Sequence, residues 1–367
     1  MKILHIIDGL TMGGAENLLI GLAGEQQARG NEVTVAPLVC PAHTPVRDKM
    51  EAKGVKILPL KAKEAVYNPF FVFRIMGLIK GFDIVHVHLF PALYWAGFAK
   101  MLTGTKIPFV FTEHSTTNKR RKNKFLHAMD RLVYQHGYRM IVACSDKAQE
   151  TFAASFPSVD HLCVINNGVD TSANAAAMPY SKQELLGLPE DSFLLTMVAR
   201  FMSMKRQCTI VEALAQLPTA IHAVFVGGEE KDEGLIRVKE LARDLGVAER
   251  VHFLYIRKDV PRILKTSDVV LMASDYEGLS LSSIEGMAAG KPFVASDVNG
   301  LREVVGGAGI LFENRNPEAL AKAILRLYED KSYYDAVADR CASRAKEYDQ
   351  GKMVDAYIDL YQSLCGR

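Results

Sequence analysis

The chain has 367 residues, 49% of them apolar and 23% charged, which is enough apolar side chain for sizeable cores and excludes a disordered or fibrous chain. At roughly 100–200 residues per domain, the length predicts two domains. The net charge of +2 conceals an uneven division: residues 1–170 carry 20 Lys and Arg against 14 Asp and Glu, the remainder 24 against 28, so the two parts are expected to meet different partners.

In chain order, the β-branched run 2–7 predicts a strand, 9–14 a loop and 15–29 an amphipathic helix. Strand-like runs follow at 32–38, 55–58, 83–88, 108–112, 139–144 and 162–165, with helical patterns between most of them. This alternation implies βαβ units and a parallel sheet buried on both faces. The turn cluster 166–170 and the small polar stretch to 181 read as a linker. Alternation resumes with strand-like runs at 193–199, 221–226, 251–254, 268–272, 292–296 and 308–311, a second doubly wound domain. Helical stretches at 317–327, 332–346 and 351–363 end the chain. Six well-separated cysteines without a CxxC pair point to reduced thiols and a cytoplasmic protein. No apolar run approaches the ~18 residues of a membrane span.

In open parallel sheets, ligands bind outside the carboxyl ends of the strands, so the loops there carry the functional reading. Gly13 and Gly14 lie between the first strand and helix, where backbone can approach an anion; a plain tight turn is the other reading. His86 and His88 face one side of a strand, either as metal ligands or as hydrogen-bonded histidines of a cleft wall, and no third ligand is near in sequence. His114 follows another strand, as a site residue or a structural histidine. Lys119, Arg120, Arg121, Lys122 and Lys124 form a basic cluster: a solvated face, or a surface for anionic lipid. Poor aromatic interleaving disfavours nucleic acid there.

Arg200 and Lys205, with Arg206 beside them, follow the first strand of the second domain and suit a diphosphate, or a surface cluster. In residues 275–292, Glu277 opens a loop and a helix is expected from about Leu279, whose first free N–H groups make a ready phosphate site. Glu285, about two turns along, can accept two hydroxyl hydrogen bonds, as a ribose diol offers; structural ion pairs are the alternative for both glutamates. No DxD occurs, which disfavours a metal-held diphosphate, and no GxxxxGK[ST] occurs, which excludes a P-loop NTPase.

Taken together, GGAE at 13–16, DIVHVH at 83–88, TEHS at 112–115, NNGVD at 166–170, ARFMSMK at 199–205, EGLSLSSIE at 277–285 and AAGKPFVASDVNGLREVV at 288–305 resemble the retaining GT-B glycosyltransferases of family 4 over essentially the whole chain. The resemblance implies two Rossmann-like doubly wound α/β domains facing a deep cleft. It implies an acceptor-binding domain of residues 1–170 plus 350–367, with the last helix crossing back, and a nucleotide-sugar-binding domain of residues 171–349. By position it implies that Gly14, with Gly13, meets the donor phosphate and that His114 lies beside the donor sugar. Arg200 and Lys205 would neutralise the leaving diphosphate, Glu277 hold sugar hydroxyls, Glu285 hold the ribose, and the amides of Gly278, Leu279 and Ser280 cradle phosphate or sugar. The usual Gly-Arg-Leu is Ala199-Arg200-Phe201 here, and the usual Lys-Gly is Lys205-Arg206, changes that bear on the base or phosphate pocket.

The expected reaction is retaining transfer of a hexose-type unit from a nucleotide diphosphate sugar, UDP-linked first and GDP-mannose second, to a glycan or lipid-linked acceptor hydroxyl. It needs no metal or other cofactor, and the protein is cytoplasmic or peripheral on the inner membrane face. Rival readings are a sugar-nucleotide epimerase and a non-catalytic sugar-nucleotide binder. A pyridoxal phosphate phosphorylase would need a longer chain.

Overall fold

A computed structural model describes residues 1–11, 13–61, 65–114 and 123–366. The chain divides into two compact units, Met1–Gly168 with Gln350–Arg367, and Val169–Asp349. The break falls two residues before the expected 170/171 boundary.

The first unit holds strands β1 (Lys2–Gly9), β2 (Glu32–Val39), β3 (Lys56–Ile57), β4 (Ile84–His88), β5 (Phe109–Glu113), β6 (Met140–Ala143) and β7 (Leu162–Val164). They form one parallel sheet in the order β3-β2-β1-β4-β5-β6-β7. The second unit holds β8 (Phe193–Val198), β9 (Ile221–Val226), β10 (Val251–Tyr255), β11 (Val269–Met272), β12 (Phe293–Ser296) and β13 (Ile310–Phe312), parallel in the order β10-β9-β8-β11-β12-β13. Each expected strand run is a strand here. The runs are rich in Val, Ile, Leu and Phe because helices cover the sheets: Leu4, Val85 and Phe109 pack with Ile75, Leu93 and Val133 in one core, and Leu195, Phe225 and Phe293 with Ile210, Ile284 and Leu320 in the other. Strand order reverses between β1 and β4 and again between β8 and β11. These are the topological switch points, where loops splay apart and leave a crevice.

The last helix, Gln350–Cys365, belongs to the first unit. Its Tyr361 hydroxyl lies 2.5 Å from His86 Nδ1, Tyr357 bonds Thr112 Oγ1 at 2.9 Å, and Asp355 pairs with Arg29. The buried face is Met353, Val354, Tyr357 and Tyr361. Ala356 and Leu360 are half-buried beside it.

Two local expectations are corrected. The supposed linker contains the helix Thr171–Ala176, because the Asp170 carboxylate accepts the Ala173 amide at 2.8 Å and the alanines that follow are strong helix formers. The helix expected from Leu279 spans Leu281–Ala288, because Ser280 is its N-cap and its hydroxyl accepts the Ser283 amide. Glu285 therefore sits just beyond the first turn, not two turns along.

Candidate functional site

In the second unit the loops after β8 and β11 meet at the switch point. The first closes in a 3-10 turn, Ser203–Lys205, which presents Lys205. The second carries Glu277. Lys205 Nζ lies 2.5 Å from Glu277 Oε1, and the same oxygen accepts the Ser274 hydroxyl at 2.7 Å. Ser274 is itself held by Ser296 on β12, whose hydroxyl donates to the Ser274 carbonyl at 2.6 Å. The Glu277 loop rests against the turn before residue 301: Gly300 has φ +82°, and a Cβ there would stand 2.3 Å from the Gly278 carbonyl oxygen. Gly227 supports the other loop in the same way, since a Cβ would lie 2.4 Å from the Ala199 carbonyl oxygen.

The amides of Gly278, Leu279 and Ser280 make no hydrogen bond among the described residues, so three donors stand before a helix N-terminus. Arg200 is exposed, and no described residue engages its guanidinium. Glu285 is half-buried on the helix without a described partner, and burial pushes its carboxyl up to about 7. A carboxyl group partly withdrawn from water and left without a described donor suits a ligand that brings hydroxyls. Beside these groups, Asp275 takes a bidentate pair from Arg315 at 2.8 and 2.9 Å, which holds its carboxyl below the usual range; Arg206 is 3.9 Å away. Sequence reasoning passed over Ser274, Asp275 and Arg315. Only Asp275, two residues before Glu277, carried a signal.

In the first unit the sheet register assembles a histidine cluster. His5 on β1 pairs with His86 on β4, and His88 pairs with Thr112 on β5, so His5, His86, His88 and Thr112 share a face. His114 follows β5. His5 Nδ1 lies 3.0 Å from His88 Nε2, His88 Nδ1 lies 3.3 Å from His114 Nε2, and His5 Nε2 lies 2.8 Å from Gln26 Oε1. The ligand-capable nitrogens of His5, His86 and His88 lie within 4.8 Å of one another, a spacing open to a metal ion. Yet His5 and His88 use both ring nitrogens in this line, and His86 uses its own on Tyr361 and on Thr112, 2.7 Å away. No lone pair is spare, so the residues fit a hydrogen-bond network better than a metal. Burial lowers all four histidines, His5 and His114 to about 4. His5 and Gln26 were missed, because nothing but the register brings them to His88.

Gly13 is the N-cap of the helix Gly14–Ala28, with the Glu16 carboxylate folded over it: a Cβ on Gly13 would stand 2.4 Å from Glu16 Oε2, and Thr11 donates to Oε1 at 2.9 Å. The helix dipole favours an acid here, so Glu16 occupies the place expected for an anion. Among the described residues nothing lies within 4 Å of a Cβ on Gly14. Lys119, Arg120, Arg121 and Lys122 lie outside the described residues. Lys124 is exposed at the start of the helix Lys124–Gly137, capped by Asn123. Among the described residues no helix is long and apolar enough to cross a membrane.

Two doubly wound parallel sheets with reversing strand order define a two-domain α/β protein of the GT-B class. The family model "Glycosyltransferase Family 4" matches residues 12–173, and "Glycosyl transferases group 1" matches residues 181–348. The chain belongs to the GT-B glycosyltransferases. It is 29% identical to a D-inositol 3-phosphate glycosyltransferase of Xylanimonas cellulosilytica, over 78% of this chain and 73% of that one. It is 26% identical to the UDP-Gal:alpha-D-GlcNAc-diphosphoundecaprenol alpha-1,3-galactosyltransferase of Escherichia coli, over 76% and 75%. Its fold matches Anabaena HepE in complex with UDP at a TM-score of 0.87 and 22% identity, covering 99% of this chain and 100% of that one.

Proposed function

We propose that the protein transfers a hexose-type unit, with retention and without a metal, from a nucleotide diphosphate sugar to the hydroxyl of a glycan or lipid-linked acceptor. A UDP-sugar is the favoured donor and GDP-mannose the second. The observation that carries the reading is the arrangement at the β8/β11 switch point: the Lys205–Glu277 pair, an unengaged Arg200, three unbonded amides at 278–280 and an unpartnered Glu285. HepE, solved with UDP and with UDP-glucose, supports the choice of base, as does the galactosyltransferase relative whose name carries UDP-Gal.

Glu285 takes the ribose diol, the 278–280 amides with Arg200 and Lys205 take the diphosphate, and Glu277 holds sugar hydroxyls. As the bond from the anomeric carbon to the diphosphate oxygen breaks, its electron pair passes to that oxygen, and the cations and amides meet the developing charge. Each such donor contributes about 2.7–4 kcal/mol by analogy with oxyanion holes. The acceptor oxygen bonds the anomeric carbon on the face the diphosphate leaves, and its proton passes to a leaving phosphate oxygen. With cations and amides in these roles, a divalent ion is unnecessary. The first unit, basic in its sequence, takes the acceptor, and its 119–124 cluster docks on the inner membrane face.

The test is incubation of purified protein with UDP-glucose, UDP-galactose and GDP-mannose in EDTA, with nucleotide release measured and the product anomer read by NMR. A panel of glycan and lipid-linked acceptors is present in each incubation, and transfer to one of them with the donor's anomeric configuration supports the reading. Epimerised donor or binding without turnover replaces it with a rival, and abolition by EDTA overturns metal independence.

A further inference from the structure

Three of the four histidines, His5 within β1, His88 at the end of β4 and His114 just after β5, form a line that starts at Gln26. Gln26 Oε1 lies 2.8 Å from His5 Nε2, and an amide oxygen only accepts, so with the amide in this orientation, its nitrogen buried and unpartnered among the described residues, His5 carries its proton on Nε2. A neutral imidazole protonated there has a bare Nδ1, which must accept from His88 Nε2–H at 3.0 Å. His88 Nδ1 is then bare and accepts from His114 Nε2–H at 3.3 Å. The direction at each link follows from the one before.

We propose that Gln26, His5 and His88 lock His114 as its neutral Nε2–H tautomer, leaving Nδ1 as a fixed acceptor for a substrate hydroxyl. This rests on the reading that His114 meets substrate. His5 and His88 are positioning residues: they act through His114 and touch no reacting atom. Three observations support the lock. Burial keeps His5 and His114 neutral at pH 7, each lowered to about 4. His114 Nδ1 has no partner among the described residues. His86 makes its own hydrogen bonds, to Tyr361 and Thr112, and donates to no member of the line. In free solution an imidazole exchanges between tautomers; a donor hydroxyl meeting the wrong one would find N–H against O–H. A chain ending on an amide oxygen removes that wrong state before substrate arrives.

The test is long-range 1H–15N correlation on full-length protein with 15N-histidine, without substrate, at pH 7.5. The expected result is a pyrrole-type nitrogen at Nε2 of His114 and a pyridine-type nitrogen at Nδ1. In His88→Leu and in Gln26→Leu, which removes the directing oxygen with little change in volume, His114 becomes a mixture of both tautomers. His88→Asn, whose amide oxygen can stand where Nδ1 stood, restores the single tautomer. An Nδ1–H tautomer in the native protein, or an unchanged His114 in both leucine variants, overturns the lock. Donor hydrolysis adds an independent reading: kcat in His88→Leu is expected to fall about tenfold with the donor KM within twofold, and His88→Asn to recover most of it. Unchanged kcat with the tautomer lost would overturn the placement of His114 at substrate and leave the lock standing.

Discussion

Lys205 and Glu277 stand 2.5 Å apart, Nζ to Oε1, although 72 residues separate them, and both side chains are largely withdrawn from water. Each comes from the carboxyl end of one of two neighbouring strands, β8 and β11, so their meeting follows from the strand order. Ser274 donates a second hydrogen bond to the same carboxylate oxygen, which leaves Oε2 for a ligand.

Removing one partner of this pair strands the other. Lys205→Ala is expected to cost about 2 kcal/mol, between the values for exposed and for fully buried pairs, and the double variant Lys205→Ala/Glu277→Ala less than the sum of the singles. Urea denaturation reads the coupling; strict additivity would mean the two do not interact. Transfer in Lys205→Ala is expected to fall roughly 10²–10³-fold, the loss typical of a preorganised donor.

Arg200 separates binding from stability. Since no described residue engages its guanidinium, Arg200→Ala should leave stability within about 0.5 kcal/mol. Loss of a charge-assisted bond to diphosphate should weaken nucleotide binding by about 1.5–3 kcal/mol, roughly 10–100-fold, by calorimetry. Arg200→Lys should recover part, because an ammonium keeps the charge without the planar fork.

Glu285 is expected to make donor binding pH-dependent. Burial raises its carboxyl to about 7, so in the free protein the ionised form is the costly one. Stability held below the ordinary carboxylate range of about 4.3 is lost as pH rises towards 7, and Glu285→Gln should recover about 2 kcal/mol at pH 8 and nothing below about pH 4. Ribose hydroxyls favour the ionised form, so donor affinity should rise with pH, by at most about tenfold per unit, and level off above 7. A flat calorimetric profile from pH 5.5 to 8.5 in the native protein would remove Glu285 from the ribose.

Two glycines are expected to respond in opposite ways. Gly300→Ala forces a positive φ on a residue with a Cβ and drives that atom to 2.3 Å from the Gly278 carbonyl oxygen, so the melting temperature and the transfer rate should both drop. Gly14→Ala meets nothing within 4 Å among the described residues and replaces a helical glycine, so it should stabilise by about 0.5–1 kcal/mol. If donor phosphate lies against Gly14, the same variant weakens donor binding; equal affinity would remove Gly14 from the site.

The amino-acid sequence by itself marked each strand of the described residues, because strands covered by helices are rich in β-branched and other apolar residues, and it marked the glycine, cation and glutamate loops at strand ends. It did not show Asp170 or Ser280 as caps, and so misplaced one helix start and read a helix as linker: a cap is a single hydrogen bond, invisible to periodicity. Tertiary structure alone decided three things. Strand order brought Lys205 to Glu277. Register set His5 beside His88 and joined the line from Gln26 to His114. Depth left Glu285 half-buried and without a donor among the described residues. Each is a relation between segments distant in the chain, fixed by which strands neighbour each other and how far they slide, and local residue patterns carry no record of either.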